Sequence, residues 1–311
     1  MQPLRTADLF RRTDHGRGGW LPTATRRLAF EWHARLHHHS LRQVAHALTH
    51  PALAHLRSSD PQLLLRPLRE YLWAGLTPRG RAQAFVGHYA WLLDALTDSA
   101  LGALYEQRAL QVLEHSLDAT RLGFTLAPAQ GPRRDGELDL QLRLDGAVLL
   151  RASLCVVPTR LLDAAAHTLG ERALVIGSLH AEHGAAAGLQ TLARLTHSSR
   201  PRALLLAVLQ GLCAGWRLGA PLGVSSRAQL QRHQRQGTQR FDTDYDELWL
   251  ELGAKRRLRE HWLLPAAPEA RHDAQVPAHR RTAQQRACEL RQALFGRGTR
   301  WACAVGAVRT A

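Results

Sequence analysis

The chain reads as an α+β protein in which an N-terminal helical layer packs on a mixed β-sheet with a central helix. Three observations predict this. Residues 137–144, ELDLQLRL, alternate strictly between polar and apolar, Asp145-Gly146 follows, and AVLLRASLCVV completes a hairpin that Pro158 closes. Residues 173–179, ALVIGSL, form a short apolar run with Val175 and Ile176, the mark of a buried strand. Pro201, with serines just upstream as N-caps, opens a long apolar helix to about Leu218. Gly219 can stop that helix, and Leu222–Val224 reads as the next strand. Strand, loop, helix and strand in this order make a βαβ-like unit, and the N-terminus of its helix is a natural anion site.

The helical layer rests on periodicity. Leu28, Trp32 and Leu36, then Leu41, Val44 and Leu48, recur at helical steps within residues 24–50. Further helices are expected over residues 62–76, 79–96 and 101–117, separated by TPRG and TDS. These patterns divide the chain into four regions. Residues 1–21 form a basic, Gly-containing flexible arm, 22–120 a helical region, 121–265 an α/β region, and 266–311 a peripheral tail. The tail carries one short helical pattern near residues 282–294, and no internal repeat is visible.

Composition bounds the partners. The net charge is +15 over 311 residues, yet Lys255 is the only lysine, so arginine supplies almost all of the excess. Such a surface suits anionic lipid, lipopolysaccharide, an acidic carrier protein or nucleic acid. The basic residues are scattered and no recognition motif is present, which disfavours nucleic acid. Cys155, Cys213, Cys288 and Cys303 show no C-x-x-C spacing, in keeping with a reducing cytoplasm. The first residues lack the apolar core of a signal peptide, and no run approaches the roughly 20 apolar residues that span a bilayer. A cytoplasmic protein, peripheral to the inner membrane at most, is the expectation.

Several blocks resemble the VirK/YbjX family of bacterial proteins: RPRALLL, the VSS after the helix, YDELWLELG and the closing WLLP. HYAWL (residues 88–92), the Asp-Gly hairpin and VIGSL fall in the family's order too, so the resemblance spans roughly residues 40–265. It implies an association with virulence and the cell envelope and no settled biochemical activity. The order of strands around the central helix also resembles the GNAT acyltransferase fold. That resemblance implies an acyl-CoA or a phosphopantetheine carrier as cofactor, its phosphates held before the central helix. The usual Q/R-x-x-G-x-G/A loop is replaced by His197-Ser198-Ser199-Arg200-Pro201-Arg202.

Each candidate site stands beside a plainer reading. Ser198, Ser199, Arg200 and Arg202 supply hydroxyls and guanidinium groups at a helix N-terminus, suited to phosphate, while a capped helix with surface arginines explains the same residues. Ile176, Gly177 and Ser178 on the VIGSL strand are where a pantetheine arm pairs under the GNAT resemblance. The acidic block offers Asp244, Asp246 or Glu247 as general base and Tyr245 as proton donor to a leaving group. Its plainer reading is a helix N-terminus made of acids, with Trp249 and Leu252 packed inside. His180, Glu182 and His183 sit in a loop past the strand, and His88-Tyr89 suits a structural hydrogen-bonding role. His33 and His37 share a helix face, but no carboxylate or cysteine completes a set locally and no metal is expected. Arg26, Arg27, Arg35 and Arg42 with Trp20, Phe30 and Trp32 form either a lipid-facing surface or a helix packed on the domain.

Two functions are therefore expected. The first is a cytoplasmic, envelope-associated acyltransferase-like enzyme using an acyl-CoA or acyl carrier protein donor. The second is a non-catalytic basic accessory protein that docks on an anionic membrane surface or an acidic partner.

Overall fold

The computed structural model describes residues 23–129, 135–197, 199–230, 244–269 and 278–306. The expected arm, the side chains of Trp20, Arg26 and Arg27, and Ser198 lie outside the residues described. Helices and strands build around one mostly antiparallel sheet. No described helix is long and apolar enough to cross a membrane.

The N-terminal layer opens with α1 (Thr23–Leu36) and α2 (His38–Ala47), where the periodicity places them. α3 (Ala54–Ser59) comes next, and then a 3₁₀ helix, Pro61–Leu68, replaces the regular helix expected over residues 62–76. Pro67 removes an amide there, and Leu72 adopts φ 60°, which ends helical geometry. α4 (Pro78–Ala95) starts at a Thr77 cap whose hydroxyl accepts from Gly80 N at 3.1 Å. Thr97 caps α5 (Asp98–Tyr105) in the same way. The expected helix over residues 101–117 stops there, because Arg108 turns the chain at φ 59°.

The chain then enters the sheet. β1 (Leu110–Leu117) pairs with β2 (Thr120–Pro128), then come β3 (Leu138–Leu144), β4 (Ala147–Pro158) and β5 (Arg172–Ala181) as antiparallel neighbours. The Asp145-Gly146 turn has both residues at positive φ, 47° and 85°, as a two-residue hairpin requires. α6 (Ala186–Leu195) and the central helix α7 (Pro201–Gly215) lead to β6 (Leu222–Val224), which is parallel to β5. α8 (Tyr245–Glu251), β7 (Arg256–Arg257) and β8 (His261–Leu263) complete a sheet of order β1-β2-β3-β4-β5-β6-β8-β7.

α9 (Ala278–Val305) is longer than the short helix expected near residues 282–294, and it is not peripheral. It packs along α7, itself set on β3 and β4. A Cβ on Gly211 would stand 2.3 Å from Phe295 O, one on Gly215 2.6 Å from Thr299 O, and one on Gly298 2.9 Å from Val208 O. Glycine on both helices brings the two backbones together.

The helical layer is tied to the sheet by buried polar groups. Val156 N donates to His88 Nδ1 at 3.2 Å, and burial pushes that imidazole down to about 3. The Glu137 carboxylate, 4% exposed, accepts from Tyr89 Oη at 2.7 Å and Arg66 Nε at 3.2 Å. All four cysteines are free, with Cys155 and Cys213 buried. Burial raises the Cys213 thiol to about 12, which leaves it an inert apolar filler.

Candidate functional site

Among the described residues, the one parallel pairing in the sheet is short. β5 and β6 pair only through Val175 with Leu222 and Ile176 with Gly223. Beyond Ile176, β5 continues for five residues while β6 ends at Val224. Gly177 is a β-bulge, since Ser153 pairs with Ser178 and Leu154 with Ile176. A Cβ on Gly177 would lie 1.7 Å from Asp135 O, so only glycine lets the two backbones meet.

The polar groups of β5 beyond β6 are answered by the chain's own side chains. Gln229 Nε2 donates to Gly177 O at 2.8 Å, and Leu179 N donates to Tyr245 Oη at 3.3 Å. Tyr245 is 8% exposed and Gln229 4%, so both bonds are shielded from water. Ser178 is wholly buried, and its hydroxyl has no hydrogen-bond partner among the described residues. Ile176 is core, held between β4 and β6.

The acidic block forms the start of α8 and its carboxylates are engaged. Asp244 is the N-cap, accepting from Asp246 N at 2.8 Å and from Ser226 Oγ at 2.6 Å. Asp246 Oδ1 accepts from Ser226 N at 2.9 Å and Trp262 Nε1 at 2.7 Å, and Arg257 stands 3.9 Å from Oδ2. Glu247 is exposed. Trp249 is fully buried against Gly223, and its Nε1 donates to Val224 O at 2.8 Å. α8 is thus fastened to the end of β6, and this is what holds Tyr245 over Leu179.

The helix N-terminus singled out by sequence borders a second feature. A cleft of about 570 Å³ lies between α7, the end of α8, and α9. Ser199 lines it at 6% exposure, and its Oγ has no hydrogen-bond partner among the described residues. Arg200 is the N-cap residue of α7 and contributes no side-chain cap, Pro201 has no N–H, and Ala203 N donates to Arg200 O at 2.9 Å, so little amide capacity is left there for an anion. Its guanidinium is 3.4 Å from the Glu251 carboxylate, with both side chains more than half exposed. Arg291 of α9 and Gln210 of α7 line the same cleft, and Arg202 is not among its lining residues. The structure thus gathers Ser199 and Arg200 at the cleft and Gly177, Ser178 and Tyr245 at the strand edge.

Sequence reasoning missed a buried polar row on β3, β4 and β5. Asp139, 1% exposed, accepts from Ser153 Oγ at 2.8 Å and Arg151 Nη1 at 3.1 Å. Arg151 Nε then donates to Glu182 Oε1 at 2.7 Å, and His180 Nε2 stands 4.0 Å from the same oxygen. Ser178 lies opposite Ser153, so the row ends beside the strand edge. The alternation of residues 137–144 did carry the signal: it sets Asp139 and Gln141 on one face. It did not reveal that this face is closed. His33 and His37 stack edge to face with ring centroids 6.2 Å apart.

No curated protein and no solved structure matches the chain. A family model described as "Protein of unknown function (DUF535)", the family that contains VirK/YbjX, matches residues 21–296. Because that match spans most of the chain, including β5, β6, α7 and the α8 block, the protein belongs to the DUF535 family.

Proposed function

We propose that this chain is an acyltransferase-like protein with a GNAT-like core, taking its acyl group from a phosphopantetheine donor, either acyl-CoA or an acyl carrier protein. One observation carries the reading. The Tyr245 hydroxyl and the Leu179 amide meet 3.3 Å apart just past the two residue pairs that join β5 to β6. Thioester aminolysis or alcoholysis is accelerated by two such groups. A backbone N–H steadies the carbonyl oxygen as it gains charge. A hydroxyl gives its proton to the departing thiolate as the C–S bond breaks. The acceptor's nitrogen or oxygen forms the new bond to the acyl carbon and loses its proton to water, since Asp244 and Asp246 are occupied as cap and tether. For a donor arm to pair with β5, Gln229 must release Gly177 O and Tyr245 must release Leu179 N.

The cleft at α7 supports the same reading. The Ser199 hydroxyl and the Arg291 guanidinium suit a phosphate-bearing ligand, and Arg200 joins them once it exchanges Glu251 for the phosphate. Its volume falls within the range of about 300–1,000 Å³ common to ligand pockets.

Thermal shift and calorimetry with CoA, acyl-CoA and acyl carrier protein test the proposal. A donor should raise the melting temperature, and Arg200→Ala should reduce the shift. Tyr245→Phe should keep donor binding while slowing turnover on the order of a hundredfold. If no CoA species or carrier protein shifts the transition, the enzyme reading fails and the non-catalytic accessory role stands in its place.

A further inference from the structure

The second surface lies on α1 and is independent of the strand edge. Leu28, Trp32 and Leu36 are 66%, 67% and 64% exposed, although they are the largest apolar residues of that helix apart from Phe30. Steps of four residues set them on one side of the helix in a continuous stripe. The side turned to the protein carries Ala34, 2% exposed, with Phe30 half-buried. The helix has placed its small residue inside and its tryptophan outside. Among the described residues Leu250 is the one other large apolar side chain so exposed, at 53%.

We infer that α1 is a docking helix that lays the Leu28–Trp32–Leu36 stripe on an anionic lipid surface. Charge selects this occupant. Residues 23–50 contain four arginines and a single acid, Glu31, within a chain of net charge +15. Arg35 of α1 and Arg42 of α2 are exposed, as are His33, His38 and His39. A second copy would bring the same positive charge against itself, whereas anionic headgroups answer it. An exposed apolar stripe with a tryptophan at its centre, in an arginine-rich segment, is the pattern of a helix lying in the plane of the headgroups. The inference rests on α1 alone and holds whether or not the strand edge transfers an acyl group.

Co-sedimentation of the full chain with vesicles tests it, comparing phosphatidylglycerol-containing bilayers with pure phosphatidylcholine. The chain should pellet with the anionic vesicles, weakly with the neutral ones, and less as salt rises. Leu28→Ser, Trp32→Ser and Leu36→Ser together should lower the anionic partition coefficient by on the order of tenfold or more. The thermal transition and any CoA-induced shift should remain unchanged, because these side chains leave the core intact. Should the triple variant lose stability, Arg35→Glu with Arg42→Glu gives a second reading through reduced binding to anionic vesicles alone. Vesicle binding that survives both sets of substitutions overturns the inference. So does a stripe variant that converts a dimer to a monomer in light scattering while lipid binding is unaltered.

Discussion

Acid should unfold this protein through two histidines that the fold keeps neutral. His88 is completely buried between α4 and β4, where Nδ1 accepts from Val156 N, and burial lowers its pKa to about 3. His261 on β8 is 2% exposed with the Trp73 ring edge-on at 4.6 Å, and burial lowers it to about 4. In the unfolded chain both return to about 6.5. A proton therefore favours the unfolded state: the contribution is whole above about pH 6.5 and drains away as pH falls toward 4 and then 3. At about 1.4 kcal/mol per proton per pH unit, the step from pH 7 to pH 5 removes about 2 kcal/mol for each histidine, about 4 kcal/mol in all. That is a large part of the roughly 5–15 kcal/mol that holds a domain together. Urea unfolding at pH 7, 6 and 5 measures it. His88→Gln retains an acceptor for Val156 N but does not titrate, so its loss over the same range should fall to about 2 kcal/mol. An unchanged pH slope in that variant would refute a buried neutral His88.

Three further outcomes are expected. Gly177→Ala forces a Cβ to within 1.7 Å of Asp135 O and should cost on the order of 4 kcal/mol or abolish soluble expression, read by thermal melting and yield. Gly211→Val drives α9 from α7 at the Phe295 carbonyl, so limited proteolysis should remove residues after about 278 faster than in the parent chain. Arg66→Ala leaves the Glu137 carboxylate buried without its cation and should cost about 3–5 kcal/mol in denaturant unfolding; adding Glu137→Gln should recover part of it.

The sequence made some elements legible because one period dominated them. The β3–β4 hairpin and α7 lie where alternation, Asp145-Gly146 and Pro201 place them. β1 reads as helix for a physical reason: a bulge at Val112 puts Val112 and Leu113 side by side in the interior and erases the alternation. The last turns of α9 escape a sequence reading because Gly296 and Gly298 lower helix propensity, although Gly298 is what admits the α7 backbone. At the candidate site, Tyr245 is visible through its motif and Ser199 and Arg200 through the helix start. The Leu179 amide is not, since a backbone N–H has no signature in a sequence. Gln229 becomes relevant only because the fold carries it 52 residues along the chain to Gly177. Asp139 looks like a half-exposed strand residue until the closed face gives it Ser153 and Arg151.

The bonds from Gln229 and Tyr245 to β5 turn recognition at this edge into an exchange. An incoming chain gains two backbone hydrogen bonds only by giving back two that already exist, so those bonds contribute almost nothing to its affinity. Under the proposed donor binding, selection would then fall to whatever the newcomer brings beyond an extended backbone, such as a phosphate or an acyl tail. A plain peptide strand, which offers only main-chain pairing, is turned away. The edge is closed to casual strand addition without proline or lysine to guard it, and under the proposed donor binding it would admit only a ligand that carries a second handle.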